Sequence, residues 1–286
     1  MYAITGITGK VGSEAARALL AKGEGVRAVL RDPKKGEEWA ALGCEVFVAD
    51  MGDAAALTEA FRGAAGVFIL PPPVFDPQPG YPEARKVAGA VVAALTAARP
   101  SKVVHLSTIG GDATEDNLLS QQTLIEQSLA TIDLPVTTLR AGWFMDNAAW
   151  DVASARDGVL YSFLQPADRK ITMVAAQDVG RAAAELLTEN WTGHRLVELE
   201  GPSRVSPDDI AEAFAQALGR AVKVEIVARD TWEELFRSQG MQNPMPRIRM
   251  LDGFNEGWIA FRDDGVHSRK VVTDIRQVIA SLVATV

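Results

Sequence analysis

The sequence predicts a doubly wound α/β fold, a parallel sheet covered by helices on both faces, with a smaller and mostly helical C-terminal lobe. Three observations predict it. Short, nearly all-apolar runs recur through the first half, as a sheet buried on both faces requires. A helical pattern separates each run from the next, which implies crossover connections and parallel strands. Three glycines, Gly6, Gly9 and Gly12, crowd the junction between the first run and the first helix, where a backbone must turn tightly or be approached closely.

The elements follow in order. YAIT (2–5) reads as the first strand, and Val11, Ala15, Ala16, Leu19 and Leu20 form one face of the helix after it. GVRAVL (25–30) and CEVFVAD (44–50) are the second and third strands. A helix over 53–63 leads to GVFIL (66–70), and a long helix over 82–98 leads to KVVHLST (102–108). A helix near 119–130 precedes PVTTLRAG (135–142), the sixth strand. In the second half, 177–189 is helical and 194–201 is a strand. Ser206, Pro207 and Asp209 supply the cap, first-position proline and acidic third residue of a helix start, and that helix stops at Gly219. Helices near 230–239, 245–261 and 274–284 follow. Residues 1–150, with 175–200 returning to them, are expected to form a Rossmann-like dinucleotide domain. Residues 151–174 and 201–286 form the lobe, closing over the carboxyl edge of the sheet.

Composition narrows the partners. The 286 residues carry a formal charge of −8 and show no basic stripe, which argues against nucleic acid. No apolar run approaches the length of a membrane span, and no leader precedes Tyr2, so a cytoplasmic protein is expected. The single cysteine, Cys44, begins a buried strand and reads as inert packing. The three histidines and this cysteine cannot assemble a metal site, and His105, mid-strand, reads as a core residue.

In a parallel sheet, ligands sit beyond the carboxyl ends of the strands, where the winding reverses. The loop Gly6-Ile7-Thr8-Gly9-Lys10-Val11-Gly12 lies there. Gly6 permits the turn, Gly9 lets amides face a pyrophosphate, and Gly12 lets the helix pack against the strand. The helix N-terminus adds roughly half a positive charge toward that anion. Lys10 either adds another or stays solvated. Arg31 ends the second strand, where an arginine suits a ribose 2′-phosphate and an acidic residue would suit the hydroxyl. NADP(H) is therefore expected ahead of NAD(H). Asp50 and Met51 would flank the adenine, and Leu70, Pro71 and Pro72 the nicotinamide ribose, with Ser107 at the end of the fifth strand.

No tyrosine stands four residues before a lysine, the pair that delivers a proton to a reduced ketone. Tyr81 is followed by Arg85 and Tyr161 by Gln165. A quinone needs no such acid, because its reduction gives a phenolate-like anion whose conjugate acid has a pKa of about 10. A site without a built-in acid can therefore still reduce quinone-like acceptors.

TGITGKVG, the Arg31 tip, HLST and LIEQSLATIDLPVTTLRAGWFMDN together resemble the NmrA-like atypical short-chain dehydrogenase/reductases, most of all the bacterial NADPH-dependent quinone oxidoreductases. The resemblance spans nearly the whole chain and implies NADP(H) at the glycine loop and a substrate cleft between the lobes. Members of that family often carry a lysine or histidine four residues before the glutamate matching Glu126. Here that position, the catalytic candidate, is Gln122, whose amide is left to hydrogen-bond a carbonyl or the nicotinamide ribose in place of general-acid catalysis. Trp143, Phe144 and Asn147, after the sixth strand, would meet a planar acceptor or else pack the lobes together. Phe75 would act as a lid, and Trp258 and Phe261 line the cleft or fill the lobe. The first expectation is hydride transfer to a quinone or similar planar acceptor. The alternatives are a non-catalytic NADP(H) sensor with a regulatory protein partner, and a reductase of a specialised biosynthetic pathway. A homodimer is left open.

Overall fold

Strand β1 (Tyr2–Thr5) is buried along its whole length and lies inside the sheet, with strands on both sides. The computed structural model describes residues 1–263 and 265–285. From β1 the chain passes through α1 (Lys10–Ala21), β2 (Val26–Leu30), α2 (Gly36–Ala41) and β3 (Glu45–Val48) to one edge. It then returns through α3 (Ala54–Phe61) to β4 (Gly66–Ile69), on the opposite side of β1. From there α4 (Pro82–Ala98), β5 (Val103–Thr108), α5 (Ser120–Leu129) and β6 (Val136–Ala141) extend the sheet outward. Tyr2 stands opposite both Val26 and Gly66, so the winding reverses at the β1–β4 boundary. All six strands expected in the first half are found.

The second half is more broken. It runs β7 (Trp143–Phe144), α6 (Val152–Arg156), β8 (Val159–Ser162), β9 (Met173–Val174), α7 (Ala176–Thr188) and β10 (His194–Glu200). Then come α8 (Pro207–Leu218), β11 (Lys223–Ile226), α9 (Trp232–Ser238), α10 (Met245–Glu256), β12 (Ser268–Lys270) and α11 (Ile275–Thr285). The main sheet has eight strands in the order β12-β10-β6-β5-β4-β1-β2-β3, all parallel. The doubly wound α/β expectation holds. Two short parallel pairs, β7 with β9 and β8 with β11, lie outside it.

Alternation along the strands divides the core. Tyr2, Ile4, Ala28 and Leu30 face α1 and α7, while Ala3, Val29, Val67 and Ile69 face α3, α4 and α5. A third cluster joins Met145, Phe214, Trp232, Phe254 and Ile279 from the later elements. The helix expected over 245–261 ends at Glu256. Gly257 takes φ 92°, and its amide donates to Gly253 O, a left-handed stop that a glycine adopts without strain. The Ser206–Asp209 capping box forms in both directions.

Candidate functional site

The ends of β1 and β4 are tied by one hydroxyl. Thr5 Oγ1 donates to Phe68 O at 2.9 Å and accepts from Leu70 N at 2.8 Å. Leu70 then lies over Gly6, which takes φ 63°, and a Cβ at Gly6 would come within 2.7 Å of its side chain. At Gly12 a Cβ would stand 2.3 Å from Gly6 O, so only glycine lets α1 start this close to the loop. Ile7 and Val11 are buried in the core, which leaves only their amides for a ligand. Thr8, Gly9 and Lys10 are exposed.

The start of α1 lacks the usual protection. Gly9 is its N-cap and offers no side-chain cap, and no acidic residue occupies the first turn. The first-turn amides, from Lys10 to Gly12, have no intrahelical partner and point toward the carboxyl edge of the sheet. Bare amides and a helix dipole make a cradle for an anion. Lys10 reaches across to Asp146 at 3.1 Å, and the other oxygen of Asp146 accepts from Ala176 N at 2.8 Å at the start of α7. Asp146 thus tethers the loop to α7.

Arg31, just beyond β2, is exposed and makes no ion pair or side-chain hydrogen bond among the described residues. The neighbouring carboxylate of Asp32 accepts from Lys34 N at 3.0 Å and caps the turn Pro33–Lys35. Asp50 is exposed and accepts from Gly52 N, whereas the Met51 side chain is buried against α3 and α4. Burial pushes the Cys44 thiol up, in keeping with packing.

Beside the β4 end lies a cleft of about 150 Å³ between the proline loop and α5. Pro71, Pro72 and Phe75 line one wall and Gln122 and Ile125 the other, with Glu83 at α4. Phe75 is 57% exposed at the rim. The loop is held from beyond by Asp76, which accepts from the amides of Gln242 and Asn243 at 2.7 and 2.8 Å. Trp143, Phe144 and Asn147 do not join the lining of this cleft. Trp143 packs edge-on against Phe254 at 5.0 Å, Phe144 against the core under α1, and Asn147 is half-buried in the turn after β7. Phe261 is buried in the third cluster, and Trp258 is partly buried against that cluster.

Behind the cleft runs a polar chain that the motifs did not reveal. Ser107 donates to Glu126, which also accepts from Nε and Nη2 of Arg140, at 3.0 and 2.7 Å. Arg140 reaches Asp112 at 2.9 Å, and Asp112 meets Arg262 at 2.7 Å. The Arg262 guanidinium, with Arg140 behind it, holds Asp112 well below the usual carboxylate range. His105 is fully buried on the same face of β5 as Ser107, and burial drives its pKa down to about 4. The pattern HLST carries the signal: period-two alternation puts His105 and Ser107 on one face, opposite Gln122 and Glu126 at helical spacing.

Residues 2–256 match the pattern of the NmrA-like family. The chain belongs to that family. Among NmrA-like relatives, quinone oxidoreductase 2 of Escherichia coli is 27% identical, over 84% of this chain and 82% of its own. An NAD(P)H azoreductase of Xenophilus azovorans is 26% identical over 90% and 85%. The fold is shared with a Citrobacter triphenylmethane reductase solved with NADP(H), at TM-score 0.80 and 19% identity, covering 98% of this chain and 99% of the other. Among the described residues no helix is long and apolar enough to cross a membrane.

Proposed function

We propose that this NmrA-like chain is an NADPH-dependent oxidoreductase whose acceptor is a quinone or a similar planar conjugated molecule. The observation that carries the reading is the pairing of an uncapped, acid-free N-terminus of α1 with an unpartnered Arg31 at the end of β2. These groups fit the two ends of NADP(H) charge. First-turn amides suit a pyrophosphate, and a free guanidinium suits a 2′-phosphate in bidentate fashion. Gly9 and Lys10 frame the first, Leu70 to Pro72 flank the nicotinamide end, and Asp50 lies toward the adenine.

When bound, the cofactor supplies a hydride, one proton with two electrons, to the acceptor. The chain's own part is to hold and shield the reactants. Pro71, Pro72 and Ile125 give the cleft an apolar wall that keeps water from the acceptor's face. Gln122 donates an amide hydrogen bond to an acceptor oxygen. Among the described residues no tyrosine, lysine or histidine lines the cleft to deliver a second proton, and its ionisable side chain is the Glu83 carboxyl. A quinone fits that lack, since water can protonate a hydroquinone anion of pKa about 10. Placement, rather than acid catalysis, then supplies the rate. The names of the E. coli and X. azovorans relatives, for a quinone and an azo compound, support a conjugated acceptor.

The test mixes purified protein with NADPH and a panel of quinones and follows the absorbance of the reduced nicotinamide. Many turnovers per protein are expected. Tight NADPH binding with no turnover on any acceptor would overturn the reading and leave a non-catalytic sensor in its place.

A further inference from the structure

His105 has no exposed surface, and among the described residues neither of its ring nitrogens has a hydrogen-bond partner. Buried polar atoms are nearly always paired, so two orphans on one ring call for a cause. The amide oxygen of Gln122 is also buried and unpartnered. That amide neighbours the imidazole, and its oxygen is the sealed end, whereas its nitrogen is not among the buried orphans. The nearest charge, Glu126, is already taken up by Ser107 and Arg140. Burial keeps the imidazole neutral, so one nitrogen carries a hydrogen and needs an acceptor. Gln122 supplies an equally unpartnered buried oxygen, and it is also part of the cleft wall. An amide is a fork: with its oxygen turned to the ring, its NH2 faces the cleft.

We propose that His105 is a positioning residue that locks the Gln122 amide oxygen inward and NH2 outward, so that the cleft presents a fixed donor to a carbonyl oxygen. The inference rests on the reading of the cleft as an acceptor site. It adds a rule of selectivity: acceptors with a carbonyl oxygen are favoured over those without one, such as cationic triphenylmethane dyes.

The test uses dead-end complexes, in which protein loaded with oxidised NADP binds 1,4-naphthoquinone without turnover. Affinity is measured by calorimetry for the parent, Gln122→Leu, His105→Phe, His105→Gln and the double variant Gln122→Leu/His105→Phe. Gln122→Leu and His105→Phe are each expected to lose about fivefold to tenfold in naphthoquinone affinity, as for one hydrogen bond. The double variant loses no more than either, His105→Gln recovers most of the loss, and NADP affinity is unchanged. With only three histidines in the chain, the ring nitrogens of His105 are assignable by nitrogen NMR. Naphthoquinone should shift them in the parent and leave them unmoved in Gln122→Leu. If the parent binds naphthoquinone while the His105 signals stay still, or if the two losses add in the double variant, the positioning role is overturned. A parent that binds no quinone at all overturns the acceptor site itself.

Discussion

Gly9 and Gly12 look alike in the sequence and do different work. A methyl at Gly12 would press on Gly6 O at 2.3 Å, against backbone that cannot move aside, whereas at Gly9 the nearest atom is 3.4 Å away. Gly12→Ala should therefore cost about 1–3 kcal/mol of stability, the range for overpacking, and lower the melting temperature. Gly9→Ala should leave melting nearly unchanged and weaken NADPH, if the phosphates approach there as proposed. Calorimetric melting and a fluorescence titration of NADPH separate the two, and equal melting losses would remove the distinction. Arg31 is legible at the same scale. On the proposed 2′-phosphate contact, worth about 1.5–3 kcal/mol as charge-assisted hydrogen bonds, replacing Arg31 with glutamate should lower NADPH affinity by roughly tenfold to a hundredfold. NADH affinity should barely move. If the parent binds both nucleotides alike, the 2′-phosphate assignment fails.

At the scale of elements, signals that are local in the chain were readable. The capping box is such a signal: Ser206 Oγ accepts from Asp209 N at 3.2 Å, and the Asp209 carboxylate accepts from Ser206 N at 2.8 Å. Ser206→Ala should cost about 1 kcal/mol, or a few degrees of melting temperature. A variant that melts with the parent would show that Pro207 and packing alone start the helix. Strands β1, β2, β4, β5 and β6 and helix α4 were readable because a strand inside the sheet is mostly apolar and a long helix must repeat its face. β3, on the edge with Glu45 and Val48 exposed, was readable only from its valines and phenylalanine. β7 and β9 are two residues each, too short for any pattern to show, and β8 (VLYS) and β11 (KVEI) carry polar residues that break an apolar run. β12 is Ser-Arg-Lys on the sheet edge, and its pairing with β10 outweighs its polar sequence. Short α2 escaped notice as well, although Trp39 anchors it in the core.

At the scale of the molecule, contacts between distant segments were the part that no local pattern displays. The alternation in HLST places His105 inward, but only the folded chain sets it against Gln122 and builds the Ser107–Glu126–Arg140–Asp112–Arg262 chain behind it. That assembly bears on acid stability. The His105 pKa falls from 6.5 to about 4 on folding because burial penalises the charged ring, with Glu126 and Gln122 opposing only in part. The unfolded chain binds a proton here that the folded one refuses. Stability contributed by neutral His105 is thus complete above pH 6.5 and is lost as the pH drops from there to about 4. The full loss is about 3 kcal/mol, at 1.36 kcal/mol per pKa unit. Asp112, depressed by Arg262 and Arg140, has the same sign but a lower window, and its contribution is lost only below about pH 4. Melting followed from pH 7.5 to 4.5 should therefore decline more steeply in the parent than in His105→Phe, whatever the variant's starting temperature. Parallel curves would mean that His105 takes up its proton as readily in the folded protein as in the unfolded chain, which a ring sealed from water and facing a neutral amide should not.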